Sequence, residues 1–348
     1  MRKSLLFIIL VFFISYIIYL AYFQSTINIS TYYCFDKKMG TSNNTELIPT
    51  VFKKAGLIPV KSLDKADIIF TYNHDQFHHL SSKYGTKAKF LYGLRCVNLM
   101  ASKSTLAIIA DKRILPKTWI LNVKKDLTDL ETKFNEKKPL IIKGNVQRQN
   151  GLKIVEDIHD ITTEYVVCQE IVKNPLLVAN RRIAIRIYIL IVCLENSHKF
   201  FIYNDGFIYY TLEEFSATLF TKNNTITSGY IDRKIYEDNP LTLQDLYAKL
   251  SSSKMTLLKE NINKCFHCLH TSYKNHIQNN DVNDGVNRFI ILGADVIPKD
   301  DYDVKLLEIN KGPDLGFKDA RDEELKSNLV KDAIQVIKND TNKNFIAT

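Results

Sequence analysis

The sequence predicts an α+β fold, in which small α/β lobes precede a body built on a largely antiparallel sheet. Two patterns indicate this. Before Lys138, segments with helical spacing alternate with short apolar runs, whereas the chain after Lys138 contains long β-rich segments followed by helices. This order of elements is typical of an α+β protein. A chain of 348 residues is also long enough for two to three lobes.

An apolar segment near the N-terminus predicts a transmembrane helix. Leu5 to Phe23 contains Ser15 as its one clearly polar residue, and Arg2 and Lys3 precede it. At about 1.5 Å per residue, a helix of this length spans roughly 28 Å, close to the hydrocarbon thickness of a bilayer. No convincing cleavage site follows, so we expect an uncleaved, single-pass anchor. The side of the membrane that holds the body stays open, since the charge bias depends on two side chains.

The chain before Lys138 predicts a small α/β lobe and a connection to the body. The helical spacing of ELIPTVFKKAG ends at Gly56, and ADIIFTY is a short apolar run between polar ends, as in a buried strand. Leu99 to Ala110 predicts a further helix, and Pro116 in ILPKTWIL makes a turn into a strand.

The chain after Lys138 predicts a sheet with helices. Several segments are β-rich and separated by turns or polar stretches, namely KPLIIKG, TEYVVCQEIV, IAIRIYILIVCL, KFFIYNDGFIYY, RFIILGADVIP and DVKLLEIN. Helices are predicted from LTLQDLYAKL, from Lys254 to Tyr273 and from Glu323 to Lys338. The polar segment from His270 to Asn287 predicts an exposed loop before the next strand.

The amino-acid composition limits which partners and which metal ions the chain is expected to bind. Lys and Arg number 47 against 38 Asp and Glu, and this net charge of +9 fits weak attraction to an anionic partner. The alternative is a solvated basic surface with no partner. No basic cluster is interleaved with aromatic residues, so we do not expect nucleic-acid binding. Cys265 and Cys268 in KCFHCLH, with His267 and His270 nearby, are alternative metal ligands, but no second Cys/His pair completes a closed zinc site.

Oxygen-bearing side chains follow or end two apolar strands. Asp295 follows FIILGA, and Glu308 and Asn310 end VKLLEIN. Residues two apart in a strand point to the same face, so Glu308 and Asn310 project together. If the two strands are neighbours, Asp295 joins them and completes a set of hard oxygen donors suited to Mg²⁺. The alternative is that these side chains only end strands at the surface.

Cationic side chains on strands indicate a site for anions. RRIAIRIYILI places Arg182, Ala184 and Arg186 on one strand face. Two guanidinium groups there suit a triphosphate or an acyl phosphate, each of which accepts paired hydrogen bonds. Lys143 ends the strand PLIIKG and precedes a polar loop, a layout that can place an ammonium group against phosphates. The alternatives are ion pairs across the sheet for the arginines and a lysine that extends to solvent.

An ordered set of motifs runs from about Tyr92 to Val336: IIKG, VVCQEIVKNPLLV, RRIAIRIYILI, YNDGF, TITSGY, FIILGAD and LLEINKGPDLG. In type, order and spacing this set resembles the tubulin tyrosine ligase-like family. The resemblance implies an ATP-grasp fold, with ATP and Mg²⁺ between two lobes, and transfer of an amino acid to a protein carboxylate. It divides the chain into an anchor (1–30), an N-terminal α/β lobe (31–100), a central ATP-grasp lobe (101–165) and a C-terminal ATP-grasp lobe with the metal site (166–340).

The resemblance also implies roles for individual residues. Those implied for the nucleotide are Lys103, Lys143, Gln169, Glu170, Ile171, Arg182 and Thr227. Gln169 and its two neighbours would border the adenine, and Thr227 would lie near substrate. Arg186 and Lys143 are the implied catalytic residues, facing the transferred phosphoryl group. The implied Mg²⁺ ligands are Asp295, Glu308 and Asn310.

The chain departs from the family pattern K-F-D-x-R, which is Arg182-Ile183-Ala184-Ile185-Arg186 here, so an acid is missing at Ala184. Tyr209 replaces the arginine after D-G-F-x, and Ser228 stands where Asn is typical. Two interpretations stay open: an active ligase, on tubulin or another acceptor, and a nucleotide-binding pseudoenzyme.

The expected partners follow from the same resemblance. They are a free amino acid, with glutamylation as one form of the transfer, and an acidic protein or peptide acceptor. The tubulin tail is suggested as acceptor by family analogy alone. The predicted N-terminal anchor would also bind the chain to a membrane.

Overall fold

The computed structural model describes most of the chain as a mixed α/β structure. The described residues are 29–34, 47–71, 74–84, 88–136, 138–145, 151–228, 231–282, 285–339 and 341–348. Among them, 11 strands form one large sheet and 4 strands form a small one. The prediction of a mixed fold with a large sheet is confirmed.

Strands and helices follow one another along the described residues. In chain order the strands are β1 (Thr31–Cys34), β2 (Ile58–Pro59), β3 (Ile68–Phe70), β4 (Phe90–Tyr92), β5 (Thr118–Ile120), β6 (Leu140–Gly144), β7 (Leu152–Val155), β8 (Tyr165–Glu170), β9 (Leu177–Val178), β10 (Arg181–Leu194), β11 (Ser197–Thr211), β12 (Thr227–Ser228), β13 (Arg288–Pro298), β14 (Val304–Asn310) and β15 (Phe345–Ala347). The α-helices are α1 (Leu47–Lys54), α2 (His74–Tyr84), α3 (Val97–Ala101), α4 (Lys103–Ile109), α5 (Lys124–Phe134), α6 (Lys222–Thr225), α7 (Ile235–Asp238), α8 (Leu243–Lys249), α9 (Ser252–Asp281) and α10 (Ala320–Asn339).

The large sheet has an antiparallel centre and a parallel extension. Its strands lie in the order β12-β11-β10-β13-β4-β3-β1-β2, with β14 paired to β13, β15 to β11 and β9 to β10. β10 is antiparallel to both β11 and β13, and β13 is antiparallel to β14. The strands before the body join the same sheet in parallel, with Leu91 of β4 opposite Arg288 of β13.

The central strands are apolar because helices cover the sheet. From Arg182 to Cys193 every residue of β10 is buried except Arg186, which is partly buried. α9 packs against β11 and β14, and α10 packs against β11 and β15. Phe266 of α9 and Phe289 of β13 are fully buried in this core. Since each such side chain contributes about 1.5–3 kcal/mol when buried, packing around these strands dominates the stability of the fold.

The small sheet is antiparallel throughout, in the order β5-β8-β6-β7. Its own core includes Trp119 and Phe134, with α5 packed against β5. A separate apolar cluster contains Val172, which follows β8, together with Ala184 of β10 and Leu307 of β14. This cluster lies where the small sheet meets the large one.

The predicted loop from His270 to Asn287 is wrong for most of its length, because α9 continues to Asp281. Tyr273 and Ile277 are fully buried within that segment, one helical turn apart. Asp281 ends the helix with a buried carboxylate that accepts a hydrogen bond from the backbone N–H of Arg95 at 2.6 Å. The polar composition of this segment hides two features of the helix: the narrow apolar stripe of Tyr273 and Ile277, and the buried carboxylate of Asp281 at its end.

The predicted single-pass membrane localisation is wrong for the helices that the structure describes. None of these helices is long and apolar enough to cross a bilayer. The predicted span, Leu5 to Phe23, lies outside the described residues. The prediction rested on the length and hydropathy of that segment and on the residues that flank it.

Gly206 allows two central strands to approach closely. It lies where β10 and β11 change register, between Ile187 and Ile189. A Cβ atom at this position would lie 2.4 Å from the carbonyl oxygen of Arg186. Asp205 stabilises this irregularity within β11, because its carboxylate accepts a hydrogen bond from the backbone N–H of Gly206 at 2.8 Å. The NDG sequence therefore requires glycine at position 206, because a side chain there would collide with the backbone of Arg186.

We expect Gly206→Ala to destabilise the protein by about 2 kcal/mol or more, because the added methyl group forces β10 and β11 apart. Urea unfolding measures the change. Gly312→Ala is the matched control, since a Cβ there meets no atom within 4 Å, and it should shift stability by less than about 0.5 kcal/mol. Equal stability of the two variants would show that β10 and β11 do not meet this closely.

Candidate active site

Two carboxylates and an amide lie together on β13 and β14. Asp295 lies opposite Glu308, and Gly293 lies opposite Asn310. The Nδ2 atom of Asn310 lies 3.4 Å from Asp295 Oδ2 and 3.4 Å from Glu308 Oε1. The pairing changes register just after Asp295, and such irregularities redirect side chains. The structure thus brings together the three oxygen-bearing side chains that the sequence singled out.

Arg186 lies beside these acids on the neighbouring strand, opposite Asp295. Its guanidinium donates from Nε to Asp295 Oδ1 and from Nη2 to Asp295 Oδ2, the second bond at 2.8 Å. The two side chains are 12% and 14% exposed, so water screens the pair weakly. Burial raises the pKa of Asp295, and the Glu308 carboxyl adds to the rise while Arg186 opposes it. The pair therefore holds a cation directly against the cluster of oxygen donors.

Arg186 is held in place by packing as well as by charge. Its guanidinium lies 5.2 Å from the centre of the Tyr209 ring, within range of a cation–π contact. A Cβ atom at Gly293 would lie 2.7 Å from Arg186 Cδ and 3.1 Å from Pro313 Cβ. Sequence reasoning missed Gly293; its signal is a glycine two residues before Asp295, on the same strand face. Only a residue without a side chain leaves room for the arginine there.

Lys143 reaches the large sheet from the small one. It lies in β6, is 5% exposed, and donates from Nζ to the carbonyl oxygen of Leu307 at 3.4 Å. Burial lowers the pKa of Lys143 to about 8, although the Glu308 carboxyl opposes the shift. The two sheets therefore meet at a buried amine that lies near Glu308 of β14 and Asp295 of β13.

Lys103 approaches the same acids from a short helix. The predicted helix from Leu99 to Ala110 is interrupted at Ser102, whose extended backbone (φ −74°, ψ 128°) separates α3 from α4. Lys103 is the first residue of α4, and its Nζ lies 3.9 Å from Glu308 Oε2. Because the helix is interrupted before Lys103, the side chain of this lysine points toward Glu308.

Gln169, Glu170 and Ile171 lie at the end of β8 and just beyond it. Gln169 is 5% exposed and donates from Nε2 to Thr118 Oγ1 at 2.8 Å. Glu170 forms an ion pair with Lys133 at 2.9 Å, and Ile171 is buried. These contacts fix the three residues on the small sheet, and their role beside an adenine stays a prediction.

Arg182 and Thr227 lie elsewhere on the large sheet. Arg182 precedes Arg186 on β10, and Thr227 pairs with Thr211 of β11. Arg182 is 1% exposed, and its Nε and Nη2 atoms have no hydrogen-bond partner among the described residues. Its guanidinium lies 5.5 Å from the Phe215 ring, and burial lowers its pKa to about 10. Because a buried cation is costly unless an anion pairs with it, this arrangement favours an anionic ligand nearby.

The described residues contain no group of three or more His, Cys, Asp and Glu side chains placed to hold a metal ion. Cys265 and Cys268, the alternative ligands, are both free thiols. Mg²⁺ needs no such group, since it takes one or two protein carboxylates and completes its shell with water and phosphate oxygens. Two carboxylates with the amide of Asn310 therefore fit Mg²⁺, and they do not fit a closed zinc centre.

The chain has a mixed α/β fold in which partly buried acids face lysines and an arginine, an arrangement that suits a ligand with phosphate groups. Sequence comparison gives the family. The chain belongs to the tubulin-tyrosine ligase family, whose sequence model matches residues 71–344. The resemblance drawn from the ordered motifs is thereby confirmed.

Two curated relatives carry the names of tubulin-modifying enzymes. Tubulin polyglutamylase TTLL6 of Homo sapiens is 23% identical over 263 residues, which cover 65% of this chain and 28% of that protein. "Probable tubulin polyglutamylase TTLL9" of Rattus norvegicus is 26% identical over 189 residues, which cover 51% of this chain and 40% of that protein. The chain thus spans less than half the length of the relatives it matches.

We expect Lys143→Met to stabilise the ligand-free protein most strongly at neutral and lower pH, because it removes a buried ammonium group. The pKa of Lys143 is about 8 in the folded chain against an ordinary value of 10.5. Below the folded pKa the lysine is charged in both states, so the full cost of burying the charge is present. Between the two values the folded chain has lost the proton and the unfolded chain has not, so the wild type gains stability as pH rises.

Urea unfolding of both proteins from about pH 6 to about pH 10 measures the difference, which should shrink as pH rises. Lys138→Met is the matched control, since Lys138 is 52% exposed just before the same strand, so the variant removes a lysine without relieving a buried charge. A constant difference for Lys143→Met would contradict a lowered pKa.

Proposed function

We propose that the chain is an ATP- and Mg²⁺-dependent ligase that joins an amino acid to a protein or peptide carboxylate. One observation carries the proposal: the carboxylates of Asp295 and Glu308 face cations from separate elements, Lys103 from α4, Lys143 from the small sheet and Arg186 from β10. Such a site suits a ligand that is both anionic and metal-bearing, as ATP with Mg²⁺ is. Membership of the tubulin-tyrosine ligase family supports the same activity.

The two sheets suit the two lobes of an ATP-grasp fold. In this proposal the nucleotide lies where the sheets meet, with its adenine beside Gln169, Glu170 and Ile171. Its phosphates lie toward Lys103 and Lys143. The division into lobes at residues 31–100, 101–165 and 166–340 belongs to the same proposal. The approach of Lys143 to Leu307 of the large sheet supports a ligand held between the two sheets.

Different residues of the site would bind Mg²⁺ and the anionic substrate. Asp295, Glu308 and Asn310 would hold Mg²⁺, which when bound neutralises charge on the phosphate oxygens. The buried guanidinium of Arg182 would pair with an anionic group of a substrate, and Thr227 would lie near that substrate. The unpaired Nε and Nη2 atoms of Arg182 support this assignment.

The proposed reaction has two steps. A carboxylate oxygen of the acceptor attacks the γ-phosphorus of ATP, and ADP leaves with the electron pair of the broken P–O bond. The amine of the amino acid then attacks the acyl carbon, phosphate leaves, and an amide bond forms with loss of a proton. Lys143 and Arg186 would stabilise the negative charge that develops on the transferred group, an effect worth about 3–4 kcal/mol for one well-placed donor.

An acidic acceptor suits the charge of the chain, which has 47 Lys and Arg against 38 Asp and Glu. The names of the human and rat relatives extend the proposal to the tubulin tail as acceptor and to glutamate as the amino acid. Because the chain spans less than half of each relative, a different acidic protein is the alternative acceptor.

The second candidate function is nucleotide binding without transfer. Ala184, where the family pattern has an acid, is 1% exposed and packs against Val172 and Ile297. Tyr209, where the pattern has an arginine, places its ring against the Arg186 guanidinium. Apolar and aromatic packing thus occupies both positions from which a charge is missing. Loss of these charges affects the transfer more than the binding of ATP.

We expect ATP with Mg²⁺ to raise the melting temperature, and Asp295→Asn and Glu308→Gln to remove most of the rise, because each variant loses a charged metal ligand. Ligand at 100 times its Kd stabilises a protein by about 2.7 kcal/mol. Each variant is compared with its own ligand-free melting temperature, since Asp295 also pairs with Arg186.

Glu195→Gln is the control for this experiment. Glu195 is an exposed carboxylate in the turn between β10 and β11, so its variant should keep the full rise with ATP and Mg²⁺. If the wild type shows no rise, both candidate functions are wrong.

We expect the wild-type chain to release ADP and to form an amide adduct when it is given ATP, Mg²⁺, a pool of amino acids and acidic peptides. ADP is measured by a coupled assay and the adduct by mass spectrometry. Both products should be absent with Glu308→Gln. Stabilisation by ATP without ADP above the level of that variant would leave nucleotide binding as the function.

A further inference from the structure

A pair of histidines lies at the other end of the central strands from the candidate active site. His198 lies near the start of β11, opposite Cys193, whereas Arg186 lies opposite Phe207. His270 comes from α9, which packs across β11. The Nε2 atoms of the two rings lie 3.2 Å apart. Neither histidine has a part in the proposed ligase reaction.

The other nitrogen of each ring faces an oxygen atom. His270 Nδ1 lies 2.9 Å from the main-chain oxygen of Thr348, which can only accept, and 3.2 Å from the Thr348 hydroxyl, which donates its own hydrogen to the carbonyl oxygen of Phe200. This nitrogen therefore carries the hydrogen and donates it. His198 Nδ1 lies 3.2 Å from Gln278 Oε1, which makes it a donor too. A neutral imidazole has one N–H group, so each Nε2 then presents a lone pair to the other. Two lone pairs at this separation repel unless a cation accepts both.

We infer that His198 and His270 form a binding site for a transition-metal ion such as Zn²⁺, held by the two Nε2 atoms. Zn–N bonds are about 2.0–2.1 Å long, so nitrogens 3.2 Å apart subtend roughly 100° at the metal, near the tetrahedral angle. Histidines that bind metals usually donate their other ring N–H to an oxygen atom, which fixes the tautomer and orients the ring. Gln278 and Thr348 provide those oxygens.

The surroundings suit a neutral, nitrogen-based site. Phe200 stacks on His270 with ring centres 4.9 Å apart and planes 13° apart, so the ring is held in one plane. Imidazole ligands favour Zn²⁺, Cu²⁺ and Ni²⁺ over Mg²⁺. Both histidines are partly exposed, so water can complete the coordination.

The competing arrangement is a hydrogen bond between the two rings. If the Gln278 amide were turned over, His198 Nδ1 would accept from it and His198 Nε2–H would donate to His270. Among the described residues no third His, Cys, Asp or Glu joins the pair, so the metal would have two protein ligands. The two arrangements differ in the tautomer of His198, which can be measured.

The test adds ZnCl₂ to the full chain with its 8 histidines labelled with ¹⁵N. We expect bare Nε2 signals from two rings, identified by their loss in His198→Gln and His270→Gln, and both signals should shift when the metal is added. Each of these variants should also weaken zinc binding, measured by titration calorimetry, by about tenfold or more. MgCl₂ should move neither signal.

His267→Gln is the matched control, because His267 is exposed on the same helix and its variant should bind zinc as the wild type does. Zinc binding that persists in both His198→Gln and His270→Gln would place the metal elsewhere, such as on the 6 cysteines, and overturn the inference. A His198 Nε2–H signal that ignores ZnCl₂ in the wild type would overturn it in favour of the hydrogen bond, whether or not the variants fold.

Discussion

The pairing of Arg186 with Asp295 joins the core of the sheet to the candidate site. The two residues lie opposite each other on β10 and β13, and Glu308 lies opposite Asp295 on β14. A slip of one residue between these strands would turn the charged side chains to the other face and bring isoleucines into the site. Since Ile185 and Ile187 are fully buried, the packing that sets the register of the core also assembles the site. Removing one partner of such a buried pair costs about 3–5 kcal/mol, because it leaves the other charge uncompensated.

The charged side chains of the site largely balance one another. Asp295 pairs with Arg186, and Glu308 has Lys103 at 3.9 Å. Binding of an anionic nucleotide with a cation therefore exchanges existing ion pairs for new ones. The buried amine of Lys143 remains charged at neutral pH only at a cost, because its pKa is lowered to about 8. A phosphate near this amine would offset part of that cost, so the buried amine of Lys143 favours the binding of an anion.

Local sequence patterns predict the strands and the grouping of the acidic residues. They fail where contacts between distant parts of the chain determine the structure. Long apolar runs can only be buried, and the two-residue period of a strand puts Glu308 and Asn310 together, so both follow from the sequence. The length of α9 does not, because Tyr273 and Ile277 are separated by polar residues and gain their burial from the sheet. The approach of His198 to His270 likewise depends on residues that are far apart along the chain.

The parallel extension of the large sheet affects the order in which the chain can fold. Leu91 and Tyr92 of β4 pair with Arg288 and Phe289 of β13, so β1 to β4 can pair with one another early, whereas the other edge of β4 waits for a strand made much later. The small sheet needs only β5 to β8, which are consecutive in the chain, and short-range contacts of this kind form early. The middle of the protein can therefore fold first, while the open edge of β4 is exposed to other chains until β13 arrives.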